Sequence, residues 1–234
     1  AMASLDLLGE NVSDDAGARR AAAEYAGIFD RIAREKLDAN VSLKLTQLGL
    51  DLDEKLCREL LENIAARAGQ FGNFVRVDME GSAYTQRTVE IVKHVRAKYE
   101  GVGTVLQAYL YRTESDLQSL LAAGCRIRLC KGAYNESSEV AFAKKSDVDA
   151  NYVRLMKRLL GSGIYHAIAT HDPAMILATR EFVSGQGIGA GKFEFQMLYG
   201  IRTDLQRQLV RDGFRLRVYI RSEERRVGKE CRYR

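Results

Sequence analysis

A chain of 234 residues is long enough for one large domain or two small ones, and length alone does not choose between them. Its composition, 46% hydrophobic and 29% charged without a long apolar run, is that of a soluble globular protein and excludes a membrane-spanning helix. The net charge is +5, but residues 221–234 hold six basic and three acidic side chains, so the rest carries little net charge; with no interleaving of basic and aromatic residues, no nucleic-acid partner is expected.

The opening AMASLDLLGE lacks the basic start and long apolar stretch of an export signal, so a cytoplasmic location is expected. Short β-like runs then alternate with segments whose apolar residues recur at helical spacing. The runs are SLDLLGE (4–10), VSLKLTQL (41–48), FVRVDME (74–80), TVLQAYL (104–110), RIRLCKG (126–132), YHAIATH (165–171), KFEFQML (192–198) and RLRVYI (215–220). After the second run, Leu56, Leu60, Ile64 and Ala68 share one helical face, with Gly69 as the expected stop. TESDLQSLLAAG opens on Thr113 and Asp116 at capping-box spacing and closes on Gly124. The stretch GQGIGAG (185–191) follows a helix and misses dinucleotide-fingerprint spacing, so it reads as an ordinary loop into the next strand. Four cysteines without CxxC spacing argue against a zinc site or a disulfide framework, and no metal is expected. Cys125 and Cys130 read as packing residues.

Eight strands alternating with helices predict an α/β protein of parallel βαβ units, and that number is the signature of a closed (β/α)8 TIM-like barrel, with a doubly wound open sheet as the alternative. In such a barrel chemistry sits at the C-terminal strand ends. Lys44, Asp78, Gln107, Arg128, Lys131, Thr170, His171 and Tyr219 all fall in or just after a predicted strand. A single strand-end cation is ordinarily a solvated flank or an ion-pair partner. Several charged groups from separate strands suggest one shared polar site, because burying them singly is costly.

RLCKGAY (128–134) is the most informative stretch, since small Gly132 and Ala133 stand between Arg128, Lys131 and Tyr134 and leave room for a phosphate or an anionic ring. Together with LKLTQLGLD (43–51), VRVDMEGS (75–82), LQAYLYRT (106–113), ATHDP (169–173), FEFQMLYGIR (193–202) and FRLRVYI (214–220), it closely resembles the proline dehydrogenase family over residues 4–220. LDLLGENV and the long helix before Lys44 look like the stand-alone bacterial type. The resemblance implies a distorted (β/α)8 barrel that binds FAD without a covalent link and oxidises L-proline to Δ1-pyrroline-5-carboxylate, the first step of proline catabolism. A quinone or another acceptor would then take the electrons, and a peripheral contact with the inner face of the membrane is left open.

By the same resemblance Gln107, Arg128, Cys130, Lys131, Gly132, Ala133, Tyr134, Thr170 and His171 contact the cofactor, Arg128 near the flavin N5. Lys44, Asp78, Leu198 and Tyr219 would form the substrate pocket, with Lys44, Asp78, Arg128 and Tyr219 as the catalytic set. Taken without the motif, His171 reads as a strand-end hydrogen-bonding residue. Glu10 is a candidate partner for a substrate-site arginine, and the loop 135–147 is either a static surface loop or one that moves over the site.

After Ile220 the sequence changes character. The family's last helix carries adjacent arginines that grip the substrate carboxylate, but Arg225 and Arg226 follow Tyr219 too closely to match them, and RSEERRVGKECR resembles a translated sequencing adapter. The expectation is a barrel domain over 1–220 that lacks its last helix, a non-native tail over 221–234, and exposed apolar surface among the first, seventh and eighth strands. Val227 and Cys231, the tail's only helically spaced apolar pair, would not cover it. The alternative to a working enzyme is then a non-catalytic FAD-binding fragment; a folate-reducing flavin barrel explains the motif order less well.

Overall fold

The computed structural model describes residues 2–9 and 11–222. Eight parallel strands close into a barrel in chain order, which sets aside the open sheet: β1 (Met2–Asp6), β2 (Ala39–Leu43), β3 (Val75–Val77), β4 (Val102–Gln107), β5 (Arg126–Cys130), β6 (His166–Ala169), β7 (Phe193–Leu198) and β8 (Leu216–Arg221). Closure runs through β1 and β8, Met2 to Asp6 standing opposite Arg217 to Arg221. Around the outside lie α1 (Asp15–Arg34), α2 (Glu54–Gln70), α3 (Ser82–Arg96), α4 (Thr113–Ala122), α5 (Lys145–Leu160), α6 (Pro173–Gly185) and α7 (Thr203–Arg211).

The strands alternate with period two, and their two faces differ in kind. Val41, Leu43, Val75, Val77, Ile127, Leu129, Phe193 and Phe195 are buried against the helices, whose own buried faces include Tyr25, Phe29, Leu61, Ile64 and Tyr152. At about 1.5–3 kcal/mol for each large apolar side chain fully buried, this outer shell is the main stabilising term. The intervening residues are polar and bond across the barrel: Ser4 Oγ donates to Asn40 at 2.7 Å, Arg76 to the Thr104 carbonyl at 3.1 Å, and Arg217 to Glu194 at 3.0 Å. Many barrels of this kind fill the centre with branched aliphatics. This one fills much of it with hydrogen-bonded polar and charged side chains.

Several local expectations change. β1 and β2 each begin two residues earlier than their predicted runs and end sooner, because a 3-10 turn (Thr46–Leu48) closed by left-handed Gly49 takes the end of the second run. β8 extends one residue past Ile220, to Arg221. Leu56, Leu60, Ile64 and Ala68 are buried as expected, but Gly69 lies within α2, which ends at Gln70. Thr113 is not a cap: its hydroxyl donates to the Gln107 carbonyl at 2.5 Å, while the Asp116 carboxylate accepts from Arg112 at 2.7 and 2.9 Å. The 185–191 stretch is a loop into β7, with a 3-10 turn (Ala190–Lys192). Cys125 is wholly buried, in line with packing. Around the β8–β1 seam, Ala3, Leu5 and Val218 are partly buried and pack on the core. The expected missing helix, the Val227–Cys231 pair, Arg225, Arg226 and Glu10 lie outside the described residues.

Candidate active site

The inward-facing charge gathers around Arg128, projected from β5 and only 6% exposed. Its guanidinium reaches five other strands or their ends. Nη1 donates to Asp78 Oδ1 at 2.7 Å, Nε to Gln196 Oε1 at 2.5 Å, and Nη2 to Ser42 and Ser4 hydroxyls at 3.3 and 3.5 Å. Its carbon centre lies 5.0 Å from the middle of the Tyr219 ring. Asp78 is equally committed: Ser42 Oγ donates to Oδ1 at 2.7 Å, and Tyr219 Oη to Oδ2 at 2.8 Å. Burial, then the Asp78 and Asp6 charges, push the Tyr219 phenol well above its ordinary range, so it keeps its proton and donates.

Beside this hub, Lys44 follows β2 and its Nζ lies 4.0 Å from Asp6 Oδ2. Asp6 is buried, and desolvation, reinforced by the nearby Asp78 charge, raises its carboxyl to about 6. Tyr25, whose hydroxyl donates to Gln47 Oε1 at 2.8 Å, stands 3.4 Å from Asp6 Oδ1. Folded Asp6 holds a proton between about pH 4 and 6 that the unfolded chain releases, so its ionisation costs stability as pH rises through 6. The span from 3.8 to about 6 corresponds to about 3 kcal/mol. Asp6→Asn should therefore gain stability relative to the parent between pH 4 and 7, measured by urea unfolding. A pH-independent difference would refute the assignment. Buried His166, its imidazole lowered to about 3 mainly by burial, acts oppositely in this window but cancels in the comparison.

A cavity of about 400 Å³ opens above the hub at the C-terminal strand ends. Lys44, Asp78, Gln107, Arg128, Cys130, Lys131, Gly132, Ala133, Tyr134, Thr170, His171, Leu198 and Tyr219 all line it. The sequence-predicted set is thus brought together whole, from seven of the eight strands or the turns after them. Sequence reasoning missed Met79, Val105, Ala169, Gln196 and Met197 in the lining, and Ser4, Ser42 and Asp6 behind it. Only the strict alternation of β1, β2 and β7 could have singled out the polar ones.

Two lining groups have buried side-chain polar atoms without a hydrogen-bond partner among the described residues: Gln107 Oε1 and His171 Nδ1. The Gln107 amide nitrogen donates to the Met79 carbonyl at 3.2 Å, which fixes its oxygen as the open acceptor. His171 Nε2 accepts from the Leu198 backbone N–H at 3.2 Å. Burial, then Arg202, lowers the His171 pKa, so the ring is neutral and its proton sits on Nδ1, an open donor. Thr170 Oγ1 accepts from the Asp172 backbone N–H at 3.0 Å. Cys130, whose thiol burial pushes up to about 12, contributes an inert wall.

The RLCKGAY stretch behaves differently from its sequence reading in two respects. Lys131 donates to Asp149, and to Asp172 at 2.6 Å; with Lys145 also on Asp149, these form a neutral cluster. Gly132 has φ +119, and a Cβ there would meet the Tyr109 ring at 2.2 Å, so a protein neighbour already demands the glycine.

The following loop is anchored. Leu110 and Ala141 form an antiparallel bridge, and Tyr111 and Phe142 rings meet edge to face at 4.7 Å. Glu136 accepts from Ser82 N and Oγ at 2.7 and 2.5 Å, capping α3, which has no cap from its own preceding residue. Because this clamp ties the loop that follows Tyr134 to the start of α3, Glu136→Ala should cost about 1 kcal/mol of stability. Urea unfolding would check it; a variant as stable as the parent would show that the loop does not depend on the clamp.

A sequence model of the family described as proline dehydrogenase matches residues 1–222. Proline dehydrogenase 2 of Bacillus subtilis is 46% identical over 217 residues, covering 93% of this chain and 72% of that protein. The proline dehydrogenase of Deinococcus radiodurans is 40% identical over 222 residues, with the same shares covered. Among solved structures, proline utilization A from Bdellovibrio bacteriovorus inactivated by N-propargylglycine superposes with a TM-score of 0.87 at 26% identity. That match covers 94% of this chain but 28% of the longer protein.

Proposed function

The chain belongs to the proline dehydrogenase family, whose reaction is the oxidation of L-proline that opens proline catabolism, and from that premise we propose that this chain runs the reaction with FAD in the 400 Å³ cavity. The observation that carries the reading is the convergence on that one cavity of the thirteen residues that the resemblance nominates, eight of them also nominated by their place at the strand ends. The residues suit a flavin: Gln107 Oε1 offers an acceptor and His171 Nδ1 a donor, matching a ring edge that bears both an N–H and carbonyl oxygens. Thr170, Ala133 and Tyr134 would flank the rest of the cofactor. Lys131, already neutralised by carboxylates, would contribute position more than charge. When bound, FAD supplies a two-electron acceptor for hydride.

The protein's own part is placement. L-proline loses a hydride from the ring carbon next to nitrogen and a proton from nitrogen, giving Δ1-pyrroline-5-carboxylate. Lys44 and Asp78 present opposite charges at the cavity floor, suited to the two ends of a zwitterion, and Leu198 gives the pyrrolidine ring an apolar wall. Tyr219 keeps its proton on Oη, holds Asp78 in place and lays its ring by Arg128. Arg128, which lines the cavity, would present its guanidinium to a bound flavin ring and so favour the charge that reduction adds to it. Holding the reactants at near-attack distance supplies several kcal/mol of the barrier reduction, on the order of 7 or more in favourable cases.

The test is anaerobic. FAD-saturated protein should lose its yellow absorbance on adding L-proline. A flavin that stays oxidised with L-proline yet bleaches with dithionite would sink the catalytic reading, and protein that remains colourless after incubation with FAD would sink the cofactor. The electron acceptor is proposed to be a quinone or a similar carrier, and the place of action the cytoplasm; no helix among the described residues is long and apolar enough to cross a membrane.

A further inference from the structure

At the opposite, N-terminal end of the barrel lies a second cavity of about 260 Å³, bordered by Phe74, Arg76, Arg126 and Arg217, with Asp38 and Glu194 among its lining. Its charges are unevenly matched. Arg217 is fully answered: Nε lies 3.0 and 3.1 Å from the Glu194 carboxylate, Nη1 donates to the Ala3 carbonyl at 2.8 Å, and Nη2 lies 3.7 Å from Asp38. Arg76 is not. It is 4% exposed, and among the described residues no carboxylate lies within 4.0 Å of it. Nη1 donates to the Thr104 and Arg126 carbonyls at 3.1 and 2.9 Å, and Nε has no partner.

What Arg76 has in place of a counter-ion is the face of Phe74, with its carbon centre 4.7 Å from the ring centroid. Arg126, exposed at the start of β5, stands 5.5 Å from the same ring and likewise has no carboxylate within ion-pair distance among the described residues. Two guanidiniums therefore share one aromatic ring at the edge of a cavity, and one of them is buried with an unused donor. A buried cation without a direct ion pair is costly: burial, then repulsion from Arg128, outweigh the more distant Glu194 and Asp78 charges and lower Arg76 to about 9. A negative group in the cavity would reverse that penalty, and guanidinium forks match the planar or tetrahedral oxygens of carboxylate and phosphate.

We propose that this lower cavity binds a single small oxyanion group, phosphate or carboxylate, between Arg76 and Arg126 beside Phe74. Its size admits such a group with some water but not a nucleotide, and the Glu194 carboxylate in its lining is already engaged by Arg217 and Tyr165. The site is separate from the flavin cavity and independent of the reaction proposed there.

FAD-saturated protein should be titrated with sodium phosphate and, separately, sodium acetate, against sodium chloride at equal ionic strength. Thermal midpoint is read in each case, together with the phosphorus-31 line width in the phosphate arm. Saturable stabilisation by phosphate, by acetate or by both, on a roughly millimolar scale, is the expected result. The exposed Arg126→Gln should weaken that binding by about tenfold while leaving proline-dependent flavin bleaching unchanged. A linear rise without saturation in both arms, or an Arg126→Gln variant that binds as tightly as the parent, would overturn the proposal.

Discussion

Alanine at position 78 is expected to destabilise the fold by about 3–5 kcal/mol, the usual consequence of removing one partner from a buried ion pair. Asp78 is the only carboxylate among the described residues within ion-pair distance of Arg128, at 2.7 Å, and both side chains are largely shielded from solvent. Its loss strands the guanidinium and leaves Tyr219 Oη and Ser42 Oγ without their acceptor. Since the same carboxylate is proposed to lie at the substrate, proline-dependent bleaching should also slow by more than about a hundredfold, the size of loss that a misplacement of about 1 Å can produce. Asp78→Asn separates the two effects, because it keeps an oxygen for Tyr219 while removing the charge. Its stability should lie between parent and alanine variant, with bleaching nearly as slow as in the latter. Urea unfolding of FAD-saturated protein and stopped-flow absorbance make the comparison; an alanine variant within about 0.5 kcal/mol of the parent would show that the hub does not depend on this pair.

Gly132→Ala should be as damaging for a different reason. The backbone there has φ +119, a conformation that side chains strain to adopt, and the added carbon would lie 2.2 Å from the nearest atom of the largely buried Tyr109 ring. Overpacking and strain together are expected to cost about 2–5 kcal/mol and to abolish flavin retention. If the clash with Tyr109 is the cause, adding Tyr109→Leu should recover part of the stability, leaving the φ penalty. If the glycine instead serves only a bound cofactor, Gly132→Ala would unfold like the parent in the absence of FAD.

The eight strands were legible because period-two runs and intervening helical faces recur without interruption, and the order of the motifs placed the site residues at the strand ends. What escaped was anything decided by a neighbour distant in sequence. The 3-10 turn at Thr46 to Leu48 follows a β2 that ends at Leu43, although the run VSLKLTQL alternates through Thr46. Gly132 looked like room for a ligand, because nothing local reveals that Tyr109 occupies that space. Lys131 reads as a cation beside the cofactor, and nothing local names its actual partners, since Asp149 and Asp172 are 18 and 41 residues away along the chain. Ser4 lies outside the quoted motifs and Gln196, though within FEFQMLYGIR, has no role read from it; what they do exists only once the barrel has closed and Arg128 reaches them.

The cross-bonded polar interior has a bearing on how this chain can change over generations. An outward valine or isoleucine can be exchanged for another aliphatic one at a time, each swap repacked locally against its helix. The paired inward positions have no such freedom: losing Asp78 orphans Arg128, and losing Glu194 orphans Arg217. Drift at these positions must therefore proceed by linked replacements, with acid and base departing together, so tolerance to substitution should switch on and off with every second residue along the staves that carry them.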